Sequence, residues 1–170
     1  MAEPLPTPVH LASDFCLWLW WRSEAHGPSL DLGAPVGVVD IWVDERLGFR
    51  AADDTRVTAL LTGENPSASL EARAALAGGK QIAEIRLGVR RDDREFTVTL
   101  KGAALHFTGL KVPAAVLDGG PEALWDRMHL VEEVAWILGA AFQRFSALRT
   151  APDWAESVRL PMRAWVRGEV

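Results

Sequence analysis

Cysteine and long apolar runs are both scarce in this sequence of 170 residues. The single cysteine, Cys16, excludes a disulfide within the chain and fits a reducing compartment. The longest uninterrupted apolar run covers residues 15–21, far short of the roughly 20 residues that a membrane span needs. Residues 1–8 contain three prolines and no basic side chain, which predicts a flexible lead-in and no signal peptide. We therefore expect a cytoplasmic protein with no membrane partner.

Motifs for catalysis and metal binding are also lacking. His129 is followed by two glutamates but has no second histidine at metal-ligand spacing, so charge on a helix surface is the favoured interpretation. Gly78-Gly79-Lys80 does not have the glycine spacing of a phosphate loop. No serine lies in a nucleophile elbow, and nothing in the sequence activates the Cys16 thiol. We predict a protein that is not an enzyme, with no catalytic residues, no metal and no cofactor.

Basic side chains are concentrated in one segment of an acidic chain. The net charge is −5 at pH 7, yet residues 80–111 carry seven basic and four acidic side chains. An acidic domain cannot bind nucleic acid through a general positive field, so phosphate contacts would need a focused stripe. The alternative is a solvated face that is neutralised by the acidic residues of the same segment. The candidate DNA-binding residues are Lys80, Arg86, Arg90, Arg91, Arg94, Lys101 and Lys111.

Periodicity predicts an α+β fold over residues 9–170, taken as one domain, with antiparallel strands in two meanders. An aromatic N-terminal helix over 11–26 is ended by Gly27-Pro28. The first meander has an acidic turn at Asp44-Glu45, and Ser67 is the predicted N-cap of a second helix that ends at Gly78-Gly79. The predicted strands cover residues 39–43, 47–50 and 56–61 in the first meander, and 81–90, 95–100 and 105–113 in the second.

A long C-terminal helix is predicted over residues 122–148. Its apolar residues alternate in steps of four and three, which is typical of a heptad seam. One interpretation is a helix packed on the sheet or on the first helix, and the other is a seam between copies of the chain. A short last helix begins near Pro152, with a kink or break at Pro161. The residues of the seam are Leu124, Met128, Val131, Ala135, Leu138, Phe142 and Phe145.

The first helix is apolar nearly all round, which is typical of a helix that is buried or that lies in an interface. Three of the eight tryptophans of the chain lie in it. Stacking of these rings on single-stranded bases is the less favoured alternative. Together with the seam, this helix leads us to expect a homodimer or larger oligomer. The candidate interface residues are Trp18, Trp20, Trp21, Leu138, Phe142 and Phe145.

The order of these features resembles the C-terminal half of the RdgC family, the recombination-associated and nucleoid-associated proteins of bacteria. The resemblance rests on the aromatic segment 17–24, the helix 71–76 with Gly79-Lys80, the basic hairpin, and the strand 105–113. It implies a non-enzymatic, sequence-nonspecific binder of double-stranded DNA that forms a ring-shaped homodimer, although the proteins of the family carry a further N-terminal half. The alternative function is a protein–protein adaptor or assembly subunit without DNA contact.

Overall fold

The computed structural model describes residues 11–54, 56, 58–113 and 120–169. It confirms the α+β class, with helices packed on an antiparallel sheet. The expected lead-in over residues 1–8 lies outside the described residues. The helices are α1 Leu11–His26, α2 Leu70–Ala77, α3 Gly120–Thr150 and α4 Leu160–Val166, and the strands are β1 Ser29–Asp31, β2 Val38–Arg50, β3 Ala59–Thr62, β4 Gln81–Arg91, β5 Arg94–Lys101 and β6 Phe107–Lys111.

The two expected meanders form a single six-stranded sheet in the order β1-β2-β4-β5-β6, with β3 also paired to β2. The acidic turn predicted at Asp44-Glu45 is wrong, because β2 runs without a break through both residues. Its pairing register with β4 shifts between Val43 and Leu47, which is the signature of a β-bulge. This one long strand pairs with β1 near its start and with β3 near its end, so the acidic residues stay in the sheet.

Strands β4 and β5 lie where the alternation of apolar residues predicted them, and β6 is shorter than the predicted 105–113 by two residues at each end. The inward side chains of β4 and β5 are buried, including Leu87 and Val98, whereas Phe107 and Leu110 of β6 are half-buried. Helix α1 lies on β2, β4 and β5 and also contacts α3 and α4. This layer of helices covers one face of the sheet, and the other face carries mostly polar and charged side chains.

The start of α2 differs from the prediction. Pro66–Ala68 form a 3₁₀ turn, and Ser69, not Ser67, is the N-cap, since its hydroxyl accepts from the Ala72 amide at 3.2 Å. The buried Ser67 hydroxyl instead donates to the Glu24 carboxylate at 2.6 Å, which ties the turn to α1. The predicted end at Gly78-Gly79 is confirmed, and Gly79 adopts a φ of +84° that favours glycine.

The C-terminal region contains the long helix and the short last helix as predicted. Helix α3 is slightly longer than the predicted 122–148. A π-helical turn, Ala155–Arg159, precedes α4, and Pro161 lies in the first turn of α4, where a missing amide costs little. Among the described residues, none of the helices combines the length and apolar character needed to cross a membrane.

Candidate interaction surfaces

The predicted DNA-binding residues lie along the polar face and the ends of the β4–β5–β6 part of the sheet. Arg86 and Arg90 project from β4 beside β2, which pairs antiparallel with it. The Arg86 Nε lies 3.3 Å from an Asp44 carboxylate oxygen, and an Arg90 Nη lies 2.7 Å from an Asp40 oxygen. Both arginines are therefore neutralised by carboxylates of a strand that is more than 40 positions away in the sequence.

A buried carboxylate holds the next cation of the set. Glu84 is 3% exposed and forms ion pairs with Lys101 and with Arg46. Burial alone would raise the pKa of the Glu84 carboxyl, but hydrogen bonds and charge from Lys101 and Arg46 outweigh burial and hold its pKa below the ordinary value of 4.5. Lys101 is thus committed to a cross-strand cluster on the sheet.

The remaining arginines of the set join the β4–β5 hairpin to α3. Arg91 and Arg94 approach the two carboxylate oxygens of Glu133 at 3.2 and 2.7 Å. The guanidinium of Arg91 also lies 5.9 Å from the ring centre of Trp136. Glu133 is mostly buried, so the hairpin and the helix are fixed to each other through it. These arginines position α3 on the sheet.

Five of the seven predicted DNA-binding cations therefore have acidic partners within the chain. Among the described residues, Lys80 and Lys111 form no ion pair. The solvated, neutralised face, which was the alternative interpretation of the segment, describes the geometry better than a focused phosphate stripe. Replacing Arg86 and Arg90 with glutamate would place carboxylates beside Asp44 and Asp40, so these substitutions would disturb the sheet as well as any DNA contact.

The candidate interface residues of α1 lie in the core of the monomer. Trp18 is 2% exposed, Trp20 is fully buried and Trp21 is 6% exposed. The Trp18 ring lies 5.7 Å from that of Phe145, and the Trp20 ring meets that of Trp165 edge-on at 5.1 Å. These tryptophans were predicted to lie in an interface between copies. They pack in the core of the monomer instead, because α1 is enclosed by the sheet, α3 and α4.

The heptad seam of α3 is divided between the core and the surface. Leu138 and Phe145 are buried, and the half-buried Phe142 packs edge-on against Phe15 of α1 at 5.2 Å, so these candidate interface residues also serve the core. An undistorted helix drifts about 20° per heptad against a 3.5-residue repeat, so three heptads rotate the seam by about 60°. That rotation brings Leu138 and Phe145 to the buried face and leaves the start of the seam outside.

The start of the seam is a contiguous exposed apolar surface, which we call the α3 stripe: Leu124, Trp125, Met128 and Val131. Their exposed fractions are 61%, 59%, 44% and 40%. The buried face of α3, which includes Val134, Ile137 and Ala141, lies about a third of a turn away around the helix at 3.6 residues per turn. The α3 stripe is therefore a second apolar face of a helix that has already buried its first.

Cys16 and His129 are the residues that the sequence analysis considered as a reactive thiol and as a metal ligand. Burial raises the pKa of the Cys16 thiol to about 12, so the thiol stays protonated at neutral pH. His129 meets Glu132 at 3.5 Å on an exposed turn of α3. In the described part of the chain, no three His, Cys, Asp or Glu side chains are grouped so that they could hold a metal ion.

Comparison of the chain with protein-family models, with curated proteins and with solved structures gives no match. The resemblance to the RdgC family therefore stays a prediction. Sequence reasoning named three of the four residues of the α3 stripe, Leu124, Met128 and Val131, as part of the seam. It did not predict the ion pairs of Asp40 and Asp44 with Arg90 and Arg86, because these pairs depend on which strands are neighbours.

Proposed function

We propose that this chain is a non-enzymatic assembly module that pairs with a second copy of itself through the α3 stripe. The observation that carries the proposal is the exposure of four large apolar side chains on two turns of one helix. Large apolar surfaces of this kind are typical of interaction sites. The expected homo-oligomer is kept, but with a different interface from the one that the tryptophans of α1 suggested.

A second copy is the partner that fits the stripe best. The spacing of Leu124, Met128 and Val131 is that of d, a and d positions in a heptad, which pair with the same positions of a like helix. A two-fold axis brings one surface patch against itself, so no other surface of the chain is required. Four side chains cover less than the roughly 800 Å² per partner of a standard interface, so we expect a weak, concentration-dependent dimer.

Charges beside the stripe favour a parallel pair of helices. Arg127 and Glu132 are exposed and flank the stripe at the g and e positions of the heptad. In a parallel pair, a g residue of one helix lies opposite the e residue five positions later in its partner. Arg127 of each copy would therefore meet Glu132 of the other, and the two contacts are equivalent by symmetry.

The proposal is tested by placing a charge in the stripe. We expect Met128→Glu to weaken dimerisation at least about tenfold, because the interface would have to bury an unpaired carboxylate. The matched control is Leu70→Glu, since Leu70 is 81% exposed on α2, away from the stripe. Light scattering after size exclusion, over a range of protein concentrations, measures the dimer fraction of each variant. Arg127→Glu should also weaken the dimer, and adding Glu132→Arg should restore it.

A wild-type chain that stays monomeric at high micromolar concentration would contradict the proposal, as would equal dimer fractions for Met128→Glu and Leu70→Glu. The DNA-associated function implied by the RdgC resemblance stays a prediction, and the neutralised sheet face argues against it. Duplex binding that is indifferent to sequence and weakens steeply with salt would support that function instead.

A further inference from the structure

We propose that a cleft at the end of β2 binds a small oxyanion, a phosphate or a carboxylate, through Arg50. Arg50 is 6% exposed, although arginine is seldom buried without an acidic partner. No carboxylate of the described residues forms an ion pair with it. A buried positive charge without a counter-charge is the feature that an anionic ligand would complete.

Arg50 has N–H donors that no described residue accepts, so they can donate to an anionic ligand. One Nη donates to the Asp54 backbone oxygen at 3.1 Å, and the buried Nε has no hydrogen-bond partner among the described residues. A guanidinium has five N–H donors in a planar fork that matches two oxygens of a carboxylate or phosphate. The side chain of Asp54 accepts from Arg56, with an Nη–Oδ distance of 2.9 Å. An oxyanion at Arg50 would therefore supply acceptors that the described residues do not.

A second unpartnered atom lies on the residue opposite Arg50. Gln81 pairs with Arg50 in the β2–β4 ladder, and in the described part of the chain its buried Oε1 also has no hydrogen-bond partner. Side chains of directly paired residues project to the same face of a sheet. Phosphate and acetate can both accept hydrogen bonds from the planar fork of Arg50, so both serve as probes in the test.

The cleft has a size and a wall that suit a small ion. Its volume is about 260 Å³, below the range of roughly 300–1,000 Å³ that organic ligands occupy. Beside Arg50 it is lined by Leu11 and Ala12 of α1 and by residues 102–105 of the β5–β6 loop. Gly102 fixes this loop, since its amide donates to the Ala83 oxygen at 2.7 Å and an added Cβ would lie 2.0 Å from the Ile82 oxygen.

The test is a titration of the whole chain with sodium phosphate, and separately with sodium acetate, at constant ionic strength adjusted with sodium chloride. We expect a saturable rise in melting temperature, together with a shift of the Arg50 Nε resonance in the NMR spectrum. Ala103→Leu fills the mouth of the cleft without altering Arg50 and should weaken the apparent affinity at least about tenfold. Arg159→Gln removes an exposed arginine elsewhere and should leave the affinity unchanged.

Saturable binding of either anion that Ala103→Leu weakens at least about tenfold supports the site. Arg50→Lys should also bind more weakly, because an ammonium lacks the planar fork. No saturable response to either anion would overturn the proposal. The same response in Ala103→Leu as in the wild type would overturn it as well, because the anion would then bind elsewhere.

Discussion

Replacing Trp18 with alanine is expected to lower the free energy of unfolding by about 3–5 kcal/mol, the range for removing a large aromatic side chain from a core. Trp18 is 2% exposed, and its ring lies 6.2 Å from that of Phe15 and 5.7 Å from that of Phe145. Truncation would remove contacts to both α1 and α3 and leave a cavity between them. Urea unfolding followed by circular dichroism measures the change.

Trp125→Ala is the matched control, because Trp125 is 59% exposed in the α3 stripe. At concentrations where the chain is monomeric, its effect should stay within about 0.5 kcal/mol, as for most surface substitutions. The Trp18→Ala and Trp125→Ala variants therefore distinguish a loss of folding stability from a loss of dimerisation. If Trp18→Ala keeps the stability of the wild type but no longer forms oligomers, Trp18 lies in an interface, as the sequence suggested.

Glu84→Gln is expected to destabilise the chain by about 2 kcal/mol at pH 7, less than the 3–5 kcal/mol typical of breaking a fully buried pair. The reduction reflects the solvent exposure of the partners, since the side chains of Arg46 and Lys101 are 46% and 32% exposed. The substitution keeps the size of the side chain but leaves two cations without the carboxylate that joins them. Unfolding at neutral pH measures the loss.

The same interaction should make stability depend on pH. The pKa of Glu84 is lower in the folded chain than its ordinary value, so its contribution is complete above that ordinary value and is lost as the pH falls through the folded pKa. The difference in stability between the wild type and Glu84→Gln should therefore shrink below about pH 4. Glu122→Gln, at an exposed position, should follow the wild type throughout. A difference that stays constant down to pH 3 would contradict the ion-pair account.

Local sequence signals predicted the elements whose causes are local. Apolar alternation located β4, β5 and β6, and glycines located the ends of α1 and α2, where Gly27 and Gly79 have positive φ. The turn at Asp44-Glu45 was wrong because two adjacent acidic residues also suit the solvent face of a strand with a bulge. A bulge depends on pairing with β4, which no short window of sequence contains.

The charges of the candidate DNA-binding face required the order of the strands. The sequence shows Asp40 and Asp44 alternating with Val39, Ile41 and Val43, but not that β2 lies beside β4. Once the register places Asp40 opposite Arg90, the basic stripe becomes a row of ion pairs. Similarly, a strict heptad count could not tell which residues of the α3 seam are buried and which are exposed. The drift of the helix against that repeat decides which of them reach the core.

The central claim, that two copies meet at the α3 stripe, is tested most directly by a distance between spin labels. The label is attached through His129→Cys, an exposed position on the turn of the stripe, while the buried Cys16 with its raised pKa stays unlabelled. Paired helices lie about 8–10 Å apart, so double electron–electron resonance should give a short distance, set by that spacing and two label arms, whose amplitude grows with protein concentration. A label at Ala77→Cys on α2 should give no distance as short. Absence of dipolar coupling at His129→Cys at high micromolar protein, or a shorter distance at Ala77→Cys, would contradict the account.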